Sequence, residues 1–87
     1  MSKIGADIAQ LSSLSSSFKA QSGQVQTLIS TINRQLGNTW WVGPAFDKFQ
    51  GDWQNRFVPT LNSLSQALEV AGNDVEKRRA AIEAAGS

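Results

Sequence analysis

The stretch Leu36-Gly37-Asn38-Thr39-Trp40-Trp41-Val42-Gly43-Pro44 is the one dense cluster of helix-breaking residues in the chain, and it separates two long amphipathic patterns. On its N-terminal side apolar residues fall at Ile4, Ile8, Leu11, Phe18, Val25, Ile29, Ile32 and Leu36, joined by steps of three, four or seven. That period is helical, because residues so spaced share one face of an α-helix. Leu11, Phe18, Val25 and Ile32 repeat at seven like a coiled-coil seam, and Leu14 and Leu28 widen the stripe on one side. Ser15 and Ser22 stand in the other seam row, where small side chains let a neighbouring helix approach closely. The run Ser12-Ser13 and Ser15-Ser16-Ser17 reads as an exposed polar helix face, since the apolar spacing continues through it. Gly23 weakens this helix by about 1 kcal/mol against alanine without ending it. Gly37 is expected to end it as the glycine just past the cap, with Arg34 favouring the negative end of the macrodipole. These signals predict a first helix over about 3–36 and a turn over 37–43.

On the C-terminal side Pro44 suits a first helical position, where its missing N–H would have no partner anyway, and Asp47 falls in the first turn, where the dipole favours an anion. From there the stripe reads Phe46, Phe49, Trp53, Phe57, Leu61, Leu64, Leu68, Ala71, Val75 and Ile82, interrupted by Arg78. Pro59 removes a hydrogen bond and crowds the preceding turn, so a kink is expected near Arg56 to Pro59. The second helix is predicted over about 44–84, with Gly86 and Ser87 as a frayed tail.

The 87 residues, without cysteine, fit one domain of residues 1–87 and no disulfide framework. Two helices of about 50 and 60 Å joined by a short turn are expected to fold back antiparallel. Such a hairpin has a seam and no interior, and each stripe is wider than one seam covers. The expected architecture is therefore all-α, an antiparallel helix-turn-helix hairpin that dimerises into a four-helix bundle. Leu11, Phe18, Val25, Ile32, Phe49, Trp53, Phe57, Leu61, Leu64 and Leu68 are the candidate dimer interface.

The same composition is short of catalytic parts. Histidine is absent, and with it the commonest metal ligand and the side chain that ordinarily titrates near neutrality. The acids Asp47, Asp52, Glu69, Asp74, Glu76 and Glu83 include no pair at the helical spacing that would bring two carboxylates together. No enzyme activity, metal or cofactor is expected. A net charge of +1 gives no basis for nucleic-acid binding. The run Lys77-Arg78-Arg79 reads as cations near a helix C-terminus, with Asp7 at the start of the first helix as a candidate ion-pair partner for Arg78 or Lys77. Trp40 and Trp41 carry the most information: one is expected to plug the end of the bundle, and one left exposed in a tight turn would be a docking anchor.

Trp41-Val42-Gly43 between two amphipathic helices, followed by Phe46, Phe49, Trp53, Pro59, Leu61, Leu64, Leu68 and Ala71 in that order, resembles the WXG family of type VII secretion proteins, the early-secretory-antigen-like hairpins. The resemblance spans essentially the whole chain. It implies hairpins that pair into homodimeric or heterodimeric four-helix bundles and are exported folded by a membrane ATPase system. Such proteins act as secreted substrates, effectors or targeting partners of larger toxins. It also implies that Trp41, Val42 and Gly43 shape a turn surface read by the secretion machinery.

One departure bears on export. Many actinobacterial members carry a C-terminal Tyr-x-x-x-Asp/Glu signal, and the corresponding frame here is Ile82-Glu83-Ala84-Ala85-Gly86, with Ile82 for the tyrosine and Gly86 for the acid. A partner that supplies the signal, a truncated tail, or a member that carries no signal of its own would each account for this. The expected partners are the chain itself or a related WXG-type hairpin, and beyond them a secretion ATPase or a larger toxin. The start Met1-Ser2-Lys3-Ile4-Gly5-Ala6-Asp7 lacks the apolar run of a signal peptide, so synthesis in the cytoplasm and release through a type VII route, or retention at the envelope, are the expected localisation. Two alternatives remain from the residues: an adaptor hairpin whose Trp-x-Gly is coincidental, and a membrane-active effector that turns its apolar stripe to lipid.

Overall fold

In a computed structural model that describes residues 5–86, the chain is an all-α hairpin. Helix α1 is Ile8–Gly37, α2 is Pro44–Asp52 and α3 is Val58–Gly86, with α2 and α3 joined by a π-helical turn, Trp53–Phe57. α1 begins later than the expected Lys3. Asp7 is extended and its carboxylate accepts the Gln10 backbone N–H at 2.9 Å, which fixes the N-cap there, and Ile4 lies outside the described residues. The other end also differs in detail. Gly37 stays within the helix, and Asn38 caps it with φ −98°, its N–H shared between the carbonyls of Arg34 and Gln35 at 3.1 Å each. The glycine that does use its conformational freedom here is Gly43, whose φ of +120° lets the chain enter α2 at Pro44.

The register is written in side-chain hydrogen bonds across the seam. Ser15 Oγ donates to the Gly72 carbonyl at 2.8 Å, Ser22 Oγ to the Ser65 carbonyl at 2.8 Å, and Gln26 Nε2 to Asn62 Oδ1 at 2.9 Å. Partners rise in number along α1 and fall along α3, so the two helices run antiparallel. They meet very closely at Gly72, where an added Cβ would lie 3.1 Å from the Ser15 carbonyl oxygen and 3.2 Å from the Phe18 Cβ. The small residues expected to permit close approach do so, and they form the centre of the intrachain seam.

A rod results. Its extents are 64 × 20 × 19 Å and its radius of gyration is 19.5 Å, against about 12 Å for a compact domain of this length. Among the described residues Ile29 and Trp53 are the buried apolar side chains, beside buried Ser15, Ser22 and Ser65. A seam this thin leaves much apolar surface in water.

The strain expected at Pro59 is met one turn earlier. The Val58 N–H bonds to the Trp53 carbonyl, five residues back, so the helix widens over one turn before Pro59 and then resumes. The stripe slips by one residue as a consequence. After Trp53 the side chains turned toward α1 are Val58, Leu61, Ser65, Leu68, Gly72, Val75, Arg79 and Ile82, all buried or half-buried, while Phe57 and Leu64 are exposed. The cation that interrupts the seam is thus Arg79, not Arg78.

Candidate interaction surface

The turn is built around Trp41. Its ring meets Phe46 edge-on at 5.4 Å between centroids and Phe49 at 5.6 Å, so the residue closes the end of the hairpin and remains 38% exposed. Trp40 makes no such contact and is 89% exposed, with Val42 exposed beside it. Trp41 is thus engaged by two rings while still partly exposed, and Trp40 stands in water. Thr39 Oγ1 donates to the Gln35 carbonyl at 2.7 Å and holds the chain down as it leaves α1.

Trp53 lies deeper. It is 8% exposed, and its indole N–H donates to Asn33 Oδ1 at 2.7 Å. Its place is inside the hairpin, which corrects the expectation that it meets a partner. Leu11, Phe18, Val25, Ile32, Phe49, Leu61 and Leu68 are half-buried along the margins of the intrachain seam, and Phe57 and Leu64 stand outside it.

The seam divides the rod into two unlike sides. One side is polar: it carries the Gln26–Asn62 pair, the Asn33 amide against Trp53, and Glu76, which feels the charge of Lys19 across the seam. On the other side Leu14, Gln21, Leu28 and Gln35 follow at intervals of seven, beside Phe18, Val25 and Ile32. An apolar groove of about 170 Å³ there is lined by Leu14, Ser17, Phe18, Gln21 and Leu68. A second, of about 290 Å³, lies toward the turn between Ile32, Gln35, Leu36, Thr39, Trp41 and Phe49. Phe57 at the end of the π-helical turn and Leu64 on α3 flank this side, and Leu14, Leu28, Phe57 and Leu64 are each between 42% and 47% exposed.

Charge is concentrated toward the ends of the rod. Between Ile8 and Asn33 of α1 the one charged residue is Lys19, and between Phe57 and Asn73 it is Glu69, both off the apolar side. Near the turn Asp52 pairs with Lys48 at 3.4 Å and Arg56 at 3.8 Å. At the far end Arg78 pairs with Asp74 at 2.9 Å, and Arg79 bonds both Glu76, at 2.6 Å, and Glu83. The expected partnership of Arg78 with Asp7 is replaced by this local i,i+4 pair, because Asp7 is used as the cap of α1. The Arg79 guanidinium donates to Glu76 and holds that carboxyl below its ordinary range, and the two acids raise Arg79 in turn.

Among the described residues no group of three or more acidic side chains is placed to hold a metal, and no helix is long and apolar enough to cross a membrane. The fold and this surface define a class, a helical hairpin with one apolar side, uncharged over its middle, and a tryptophan-bearing turn. Compared with models of protein families, with curated proteins and with solved structures, the chain gives no match.

Proposed function

We propose that the chain is a non-catalytic type VII secretion substrate or secretion partner of the WXG kind, and that it works by pairing with a second hairpin into a four-helix bundle. The observation that carries this reading is the side bearing Leu14, Leu28, Phe57 and Leu64, uncharged along the middle of the rod, where four large apolar side chains are left nearly half exposed. Contiguous apolar surface of this kind marks an interface. A second hairpin has the shape to cover it along its length, and over the uncharged middle two copies meet without like-charge repulsion. The Trp41-Val42-Gly43 turn adds the sequence resemblance, with Trp40 and Val42 as the exposed side chains that a secretion ATPase or a larger toxin would contact.

Sedimentation equilibrium tests the pairing: a species of twice the 9.4 kDa chain mass is expected at micromolar concentration, and a stable monomer there rules out the homodimer. Affinity capture of the tagged chain from its host then tests the secretion role, with a related hairpin or a membrane ATPase as the expected companion. The adaptor reading has one observation in its favour, since Trp41 is engaged by Phe46 and Phe49 as an end plug would be. Export measured with Trp40→Ala separates the two: loss of export with helicity intact supports the secretion role, and unchanged export supports the adaptor.

A further inference from the structure

α3 carries two apolar stripes one residue apart, and only one of them can face α1. The first is Val58, Leu61, Ser65, Leu68, Gly72 and Val75, whose centre is small; the second adds Phe57, Leu64 and Ala71. An uninterrupted α-helix running on from Trp53 would bring the second stripe to the seam, since Phe57 follows Trp53 by one α-helical turn and Leu64 follows Phe57 by two. The structure turns the first stripe inward instead, and the cause is the bond from the Val58 N–H to the Trp53 carbonyl, which spends five residues on one turn. Everything downstream is rotated by one residue, about 100°.

We propose that this π-helical turn is a phase corrector that assigns the large residues of α3 to the partner. It gives the hairpin a narrow seam of Ser15, Ser22, Ser65 and Gly72 and leaves Phe57 and Leu64 on the same side as Leu14 and Leu28. The seam locks the choice. In the rotated alternative Ser22 would lose its three contacts with Ser65, a side chain in place of Gly72 would press on the Ser15 carbonyl, and Arg78 would enter the seam. A hairpin closed on its own large residues would have little left to offer a second copy. The inference rests on the reading that a second hairpin is the partner, but the phase of α3 is a property of the single chain and is measured separately.

The chain has no cysteine, so introduced pairs are its only thiols. Oxidative cross-linking of Ser22→Cys/Ser65→Cys is expected to be at least tenfold faster than that of Ser22→Cys/Leu64→Cys, at a dilution where the chain is monomeric. Deleting Asn55 makes Val58 follow Trp53 by four residues, so the turn becomes plain α-helix with the same stripe inward; the cross-linking preference and the dimer are both expected to survive. Inserting one alanine after Asn55 gives the turn one residue too many, and the preference is expected to reverse toward position 64 with loss of the dimer. A preference for position 64 in the full-length chain, or its appearance on deleting Asn55, overturns the proposal, as does an insertion that leaves the 22–65 preference intact. Should the insertion variant fail to fold, the deletion decides. A monomeric chain that keeps the 22–65 preference both unaltered and with Asn55 deleted refutes the pairing and not the phase assignment.

Discussion

Ser22 and Ser65 face each other across the seam with their hydroxyl oxygens 2.9 Å apart, and each hydroxyl also reaches the other residue's backbone carbonyl, at 2.8 and 3.1 Å. Two hydroxyl protons serve these three contacts, and no buried side-chain polar atom among the described residues is left without a partner. A pair of larger residues here would hold the helices apart, and an apolar pair of the same size would leave their relative height unspecified. Ser22→Ala is expected to cost about 1 kcal/mol, because Ser65 can still donate to the carbonyl of residue 22. Ser22→Ala/Ser65→Ala should cost less than the two single changes together, with a coupling of about 0.5 kcal/mol or more in urea unfolding. Strict additivity would show that the pair does not act as a unit.

Two glycines in helices should respond to alanine in opposite directions. Gly23 has nothing within 4 Å of an added Cβ, so Gly23→Ala gains helix propensity at no steric cost and should stabilise by about 0.5–1 kcal/mol. At Gly72 the Cβ would press on the Ser15 carbonyl, and backbone cannot move aside as a flexible side chain can. Gly72→Ala should destabilise by about 1–3 kcal/mol. Equal melting temperatures for the two variants would show that the helices do not approach as closely as described.

The ion pairs at the far end predict a direction with pH. The hydrogen bonds from Arg79 lower the Glu76 carboxyl below its ordinary value of 4.5; burial opposes this, and the charges of Arg79 and then Lys19 add to it. A carboxyl lowered in the folded state stabilises the fold above its unfolded value and loses that contribution as pH falls through the folded value. The melting temperature should therefore hold steady from about pH 7 to pH 5 and fall below about pH 4.5, with a smaller fall in Glu76→Gln. Because solvent still reaches the half-buried pair, molar salt should shrink the difference between the two proteins. An unchanged fall in Glu76→Gln assigns the acid sensitivity to other carboxylates.

The hairpin was legible because its signals are local and agree: a period of three and four on either side of one breaker cluster, a proline to open α2, and serines where the helices had to come close. The phase of α3 was not. Phe57 and Leu64 belong to a regular α-helical stripe with Trp53, and a one-residue slip leaves no mark on spacing. What decides it is the geometry of Ser22 against Ser65 and of Gly72 against Ser15, contacts between residues 43 and 57 positions apart. Pro59 was a fair local sign of disturbance, but whether a proline gives a kink or a wider turn depends on which face must be buried next. The ends of α1 moved for smaller reasons, a cap by Asp7 and a cap by Asn38 that left Gly37 helical.

The three tryptophans occupy three environments and should be separable on that ground. Trp53 is 8% exposed and hydrogen-bonded to Asn33, Trp41 is wedged between Phe46 and Phe49, and Trp40 is almost fully in water. Iodide should quench the emission of Trp40 far more than that of Trp53, read in variants that each keep one tryptophan and carry phenylalanine at the other two positions. Trp41→Ala removes two aromatic pairs and should cost about 1–2 kcal/mol. Trp40→Ala removes no contact and should change stability by less than about 0.5 kcal/mol. If Trp40 serves a partner, its removal is felt only in capture or export, and a Trp40→Ala protein that melts several degrees lower would instead make Trp40 a structural residue.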